Sequence, residues 1–142
     1  MSTDLDATEF VSAAFSGINE KLLATLTGNL QVVLWQWDKQ RPLATGDCAV
    51  MPPQDKNMLR LLQISISNCD PNYILVTGRD LFKFFKLDNH QLKIMHNQIA
   101  KKEPEVSSTF TCHTWLPDGR IAVCTDMGQI MLLDYNGDYK QF

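Results

Sequence analysis

Residues 110 to 134 read F-T-C-H-T-W-L-P-D-G-R-I-A-V-C-T-D-M-G-Q-I-M-L-L-D. The stretch divides into three extended runs and two turns. FTCHTWL is followed by Pro117-Asp118-Gly119, and Arg120 to Thr125 is followed by Asp126-Met127-Gly128 and then Gln129 to Leu133. Pro117 suits a turn position that wants a fixed φ, and Gly119 and Gly128 tolerate φ > 0 without steric cost. Two hairpins in series predict a three-stranded antiparallel meander. Such a sheet does not stand alone, because its apolar side chains need a second surface.

The same unit recurs upstream. The apolar residue closing the first run appears as Phe15, Ile66 and Trp115, at steps of 51 and 49 residues. The apolar-Asp pair closing the third run appears as Trp37-Asp38, Leu87-Asp88 and Leu133-Asp134, at steps of 50 and 46. A single apolar-Asp pair would mean nothing. Two registers repeating together, with turn signals between them, are the mark of propeller blades, which take roughly 40–50 residues each. The predicted fold is all-β: a partial β-propeller of about three four-stranded antiparallel blades. A polar lead-in occupies residues 1–8, and the blade units fall at about 9–45, 61–95 and 109–142.

Predicted strands in the first unit are 10–15, 22–27 and 30–37, with a short outer strand at 42–45. Val32, Val33, Leu34, Trp35 and Trp37 make the third of these the richest in β-formers. Trp35 and Trp37 are two residues apart and so are expected on one strand face. Packing against a neighbouring sheet is the preferred reading of that aromatic face; a ligand platform is the competing one. Residues 46–60, with Pro52-Pro53, read as a loop beside a short innermost strand around 49–51.

In the second unit, Leu62, Ile64 and Ile66 alternate with Gln63, Ser65 and Ser67, which predicts a half-buried strand at 61–67. Strands follow at 73–77, 81–87 and 91–95, with Lys93 suited to an exposed edge. Leu81, Phe85 and Leu87 are assigned to one face, Phe82 and Phe84 to the other. Residues 96–108 read as a solvated connector carrying the charge run Lys101-Lys102-Glu103-Pro104-Glu105. After Asp134, Asn136-Gly137 signals a further turn, leaving room for only a short fourth strand.

Composition narrows the function classes. The 142 residues are 44% hydrophobic with a net charge of −3, normal for a folded domain and without the basic footprint of a nucleic-acid binder. No window approaches the roughly 18 apolar residues of a membrane span, and the acidic start MSTDLDATEF lacks the pattern of a secretory leader. Cys48, Cys69, Cys112 and Cys124 show no CxxC spacing and read as free thiols of a reducing compartment.

Nucleotide, metalloprotease, hydrolase and EF-hand signatures are absent from the sequence. Cys112, His113 and Cys124 are the nearest metal-competent group. Cys112 and His113 are adjacent on one strand and face opposite sides, and two thiolates do not complete a zinc site. No metal, cofactor or catalytic residue is expected. His113 is expected to hydrogen-bond inside its blade. Asp118 and Asp126 read as turn aspartates that cap backbone N–H groups.

The residues quoted above resemble a WD-repeat blade, with Asp126 and Gly128 at the turn into the third strand and Trp37-Asp38 at the dipeptide that names the repeat. E-F-V-S-A-A-F-S, L-W-Q-W-D-K-Q, T-G-R-D-L-F-K-F-F-K-L and C-H-T-W-L-P-D-G-R-I-A-V-C-T-D-M-G-Q-I together resemble the cilia- and flagella-associated protein 57 family, also called WD-repeat protein 65. The resemblance runs from about Glu9 to Asp134. It implies a non-enzymatic adaptor of the motile cilium axoneme. The implied partners are proteins of the inner dynein arms, the regulatory complex and tubulin-associated structures, with no nucleic acid and no membrane. The implied location is cytoplasm, cytoskeleton and axoneme. A generic interaction module outside cilia, or an enzyme or small-molecule binder using the Trp35/Trp37 face, are the alternatives. The chain departs from the family in having no heptad run, eroded dipeptides at Leu87-Asp88 and Leu133-Asp134, and about three blades where a ring takes four to eight. The chain alone is therefore expected to leave blade faces uncovered, to be completed by blades of a longer or a second chain.

Overall fold

A computed structural model describes residues 9–50, 59, 61–95 and 109–134. The lead-in at 1–8, the charge run at 101–105 and the fourth strand foreseen after Asp134 lie outside these residues. Among the described residues, eleven strands form three antiparallel sheets in chain order. The first sheet holds β1 (Phe10–Phe15), β2 (Leu22–Thr27), β3 (Gln31–Gln36) and β4 (Arg41–Asp47). The middle sheet holds β5 (Gln63–Ile66), β6 (Tyr73–Gly78), β7 (Leu81–Asp88) and β8 (Gln91–Met95). The third holds β9 (Phe110–Trp115), β10 (Ile121–Thr125) and β11 (Ile130–Leu133), so three rather than four strands are described there.

Each sheet is a meander, because short turns connect neighbours and antiparallel pairing follows. The first turn of each sheet is built the same way. Asn19, Asp70 and Asp118 each accept, through Oδ1, the N–H two residues on: Lys21 at 3.1 Å, Asn72 at 3.0 Å and Arg120 at 3.1 Å. Ser16 and Ser67 sit directly after the first strands and accept two turn N–H groups each. Between β7 and β8, Asn89 and His90 take φ of 51° and 67°, the paired positive values of a two-residue hairpin turn. Gly119 at φ 89° and Gly128 at φ 77° occupy the conformations that the Pro-Asp-Gly and Asp-Met-Gly signals demand.

Two apolar clusters fill the spaces between the three sheets. The first joins Leu26, Val32 and Leu34 of the first sheet to Ile64, Ile74, Val76 and Phe85 of the middle one. The second joins Leu75, Phe82 and Phe84 to Phe110, Ile121, Val123, Met131 and Leu133. β7 supplies both: Phe85 faces the first sheet and Phe84 the third, as strand alternation requires. Phe84 lies 6.1 Å from the Trp115 ring and 5.6 Å from Tyr73 between centroids, adding tilted aromatic contacts to area burial. β1 lies against β5 and β4 against β8, so the first two sheets stack face to face from inner to outer strand, while β9 of the third lies against β6 and β5.

Two expectations are corrected, and a third is extended. The foreseen strand around 49–51 does not form at its described residues: Ala49 takes φ 59°, outside the β region, and lies between β4 and a bend. β5 is half-buried as its alternation predicts, with Ile64 and Ile66 in the first cluster and Gln63 and Ser65 meeting the third sheet. β3 stops at Gln36, and Trp37 opens a 3₁₀ turn, Trp37–Lys39, that ends at Gln40 with φ 53°. Trp37 therefore does not share a strand face with Trp35, and the alternation argument fails there.

Candidate functional site

The densest polar cluster in the described residues lies between the middle and third sheets. β9 carries His113 into that space. Its ring Nε2 is 2.6 Å from Ser65 Oγ and its Nδ1 is 2.7 Å from Thr77 Oγ1. A neutral imidazole has one donor and one acceptor nitrogen, and a hydroxyl fits either. Gln63 completes the clamp on the backbone: its Oε1 accepts the His113 N–H and its Nε2 donates to the His113 carbonyl, both at 2.9 Å. Trp115, two residues on, donates its indole N–H to Ser65 Oγ at 2.8 Å. His113 is only 5% exposed, and burial pushes its pKa down to about 4.

This arrangement has the outline of a Ser-His pair, but its chemistry is different. A general base needs an ionised or strongly polarising third partner to stabilise the imidazolium. Here that place belongs to the Thr77 hydroxyl, and burial makes the imidazolium unfavourable. Ser65 Oγ is also engaged by the Trp115 indole. The cluster acts as a latch: it satisfies buried polar atoms across two sheets and fixes their register, where any unmet donor would cost about 1–3 kcal/mol. No buried side-chain nitrogen or oxygen among the described residues lacks a partner.

In the first sheet, Trp35 Nε1 donates to Thr25 Oγ1 at 2.9 Å, which pins the indole within its own sheet. Trp37 donates its indole N–H to the Glu20 carbonyl and meets Phe15 edge-on at 6.3 Å, interplanar angle 78°. Phe15 and Trp37 are 64% and 47% exposed. Asp38 stands 4.0 Å from Lys21, and Asp88 stands 3.2 Å from Lys93, both at the surface. Asp118 accepts from both the backbone N–H and the Nε of Arg120, and the backbone bond is the main cause that lowers its pKa. At the next turn, Thr125 Oγ1 takes the N–H groups of Met127 and Gln129, while Asp126 gives its own N–H to the Thr109 carbonyl. Ile66 and Leu133 are buried in separate clusters, Leu87 packs beside the first, and Asp134 follows β11 directly.

Cys112 and Cys124 are directly opposed in the β9–β10 ladder, as the sequence placed them on neighbouring strands. All four cysteines are free. Cys48 is fully buried, and desolvation, helped by Asp47, pushes its thiol up to about 12. No group of three or more His, Cys, Asp or Glu residues able to hold a metal occurs among the described residues. No described helix is long and apolar enough to cross a membrane.

Over 138 residues the chain is 29% identical to cilia- and flagella-associated protein 57 of Mus musculus, covering 96% of this chain and 10% of that protein. Over 143 residues it is 25% identical to cilia- and flagella-associated protein 57 A of Tetrahymena thermophila, covering 96% of this chain and 11% of that one. The chain is similar to cilia- and flagella-associated protein 57. It spans about a tenth of the length of these curated relatives. No known family profile matches it. Among solved structures it superposes on the Cps50 (Swd1) beta-propeller domain of Myceliophteria thermophila with TM-score 0.67 at 9% identity, over 88% of this chain and 38% of that chain. A chain of the Mitotic Checkpoint Complex gives TM-score 0.63 at 13% identity, over 87% of this chain and 35% of that one. The fold is a partial β-propeller, and each sheet is a blade.

In blade terms, Phe15, Ile66 and Trp115 end the first strand of each blade, and Leu87 and Leu133 lie at the end of the third. His113 was placed by sequence inside its own blade. The structure turns it outward, so its partners Gln63, Ser65 and Thr77 all belong to the preceding blade. The latch members other than His113 and Trp115 carried no motif. Their one local signal was two polar residues, Gln63 and Ser65, at period two in an otherwise apolar strand.

Proposed function

We propose that this chain is a non-enzymatic, protein-binding WD-repeat module of the motile cilium. It is retained on the axoneme, where it helps hold inner dynein arms or regulatory complexes. The observation that carries this reading is the 29% identity to a cilia- and flagella-associated protein across 96% of the chain. The chemistry of the best-formed polar site agrees, since the Ser65–His113 pair lacks the carboxylate and the basic imidazole that turnover would need. The module's partners are other proteins, among them dynein-arm, regulatory-complex and tubulin-associated subunits. Blades alone do not specify a partner, so the assignment to the axoneme rests on the relatives. Tagged protein in ciliated cells should persist along axonemes after detergent extraction. Diffuse signal that washes out with detergent would refute it.

A further inference from the structure

Two thiols meet inside the third blade. Cys112 in β9 and Cys124 in β10 are Cα partners in the antiparallel ladder. Directly opposed residues of such a ladder project to one face, with Cα atoms about 4.5–5.5 Å apart. A disulfide asks for about 4.4–6.8 Å between Cα atoms, so the backbone already holds the pair at bonding separation. The side chains meet as well. A hydrogen bond joins the two thiols, and burial, followed by that bond, pushes the Cys124 thiol above its ordinary range. Strand pairing alone does not call for cysteine at this place. Ser12, Gln63 and Cys112 each stand three residues before Phe15, Ile66 and Trp115, and the corresponding cross-strand pairs of the first two blades are Ser12–Leu26 and Gln63–Thr77.

The surroundings give the two thiols different roles. Cys112 is exposed and Cys124 half-buried. The ladder is broken directly beside them: pairing passes from Cys112–Cys124 to Phe110–Thr125, which leaves Thr111 as an extra residue. Such a bulge bends its strand and re-aims the neighbouring side chains. The Thr111 hydroxyl donates toward Cys112 Sγ at 4.0 Å. Cys48 and Cys69 both lie outside the strands, so neither has a cysteine opposite it in a ladder.

We propose that Cys112 and Cys124 are a reversible dithiol–disulfide site that takes a small-molecule disulfide as its oxidant and staples β9 to β10. The exposed Cys112, as thiolate, attacks one sulfur of the small disulfide. That S–S bond breaks, one small thiolate leaves, and Cys112 carries the other half as a mixed disulfide. Cys124, as thiolate, then attacks the Cys112 sulfur and expels the second small thiolate. The two protons that the cysteines release go to the two small thiolates. The protein thiols lose two electrons, the small disulfide gains them, and no other reagent is consumed. The new bond lies within one sheet, so its geometry is set by the β9–β10 ladder and not by whatever adjoins that sheet.

Oxidised glutathione added to the whole chain tests this. Trypsin cuts after Arg120, between the two cysteines, so a link between them joins peptides 103–120 and 121–140. The folded chain should yield that linked pair at least about tenfold faster than the chain in urea, because the ladder holds the thiols opposed. Excess reduced glutathione should return both thiols. Cys124→Ser should stop at the mixed disulfide on Cys112, and Cys112→Ser should give no link. The wild-type peptide map reads the outcome by itself should circular dichroism show that either serine variant has lost its strand signal. Thiols that do not react, separate glutathione adducts on Cys112 and Cys124 with no link between them, or a link between two chains would each overturn the proposal. Linking no faster in the folded chain than in urea would overturn it too.

Discussion

Acidification should loosen the joint between the middle and third blades through one residue. His113 has an ordinary pKa of 6.5 in an unfolded chain and about 4 in the fold, because burial penalises the imidazolium. Between those values the unfolded state binds the extra proton, so stability rises with pH across the window. The contribution is fully present above about pH 6.5, falls as pH drops, and stops changing below about pH 4. At about 1.4 kcal/mol per pH unit the whole displacement corresponds to about 3 kcal/mol, and to about 2 kcal/mol at pH 5. The carboxylates titrate in the same range, so the comparison must cancel them. His113→Gln keeps a polar, neutral side chain at the site and removes the titration. Urea unfolding of both proteins at pH 8 and pH 5, at one fixed protein concentration, gives the difference. Wild type should lose about 2 kcal/mol more than His113→Gln over that interval. Parallel losses in the two proteins would refute the reasoning, because they would mean that His113 is protonated as easily folded as unfolded.

Other perturbations follow from contacts already described. A Cβ at Gly46 would stand 2.9 Å from Leu92 Cβ and 3.1 Å from Phe85 Cε1, so Gly46→Ala should destabilise the first junction by about 1–3 kcal/mol in urea unfolding. Gly17→Ala, with nothing within 4 Å, should stay within about 0.5 kcal/mol of wild type in the same assay. Phe84→Ala removes a fully buried ring between Tyr73 and Trp115 and should cost about 3–5 kcal/mol, read as a lower urea midpoint. In thiol alkylation at pH 8, Cys69 and Cys112 should label in the native protein, whereas Cys48, buried and pushed up to about 12, should label only on unfolding.

The sequence made the blades legible where local chemistry decides structure. β1, β2 and β8 have the bounds that apolar alternation and turn residues predict, because each is short and flanked by Gly, Asn or Asp. The split of β7 into a Phe85 side and a Phe84 side follows from the period of a strand, and both sides are buried as that split requires. Trp37 escaped because a residue's departure into a 3₁₀ turn depends on the left-handed Gln40 three positions later, which no propensity marks. The latch escaped for a different reason. Ser65 and Thr77 lie 48 and 36 residues from His113, so their convergence is set by blade stacking, not by any local pattern. Gln63 and Ser65 read only as the polar side of a half-buried strand, with nothing local to say what meets them. In a middle blade both faces are covered, and polarity there marks a contact with the next blade.

The central claim is that three blades stack in chain order, with two separate cores on either side of the middle sheet. Nuclear Overhauser contacts measured on the isotopically labelled chain test it most directly. Contacts from the Trp115 indole N–H to the Ser65 β protons, and from the Phe84 ring to Trp115, should appear, while none should link Leu34 to Ile121, which lie in different clusters. Contacts between Leu34 and Ile121, with none from Trp115 to Ser65, would mean that the first and third sheets pack against each other as a sandwich, and would contradict the stacked-blade account.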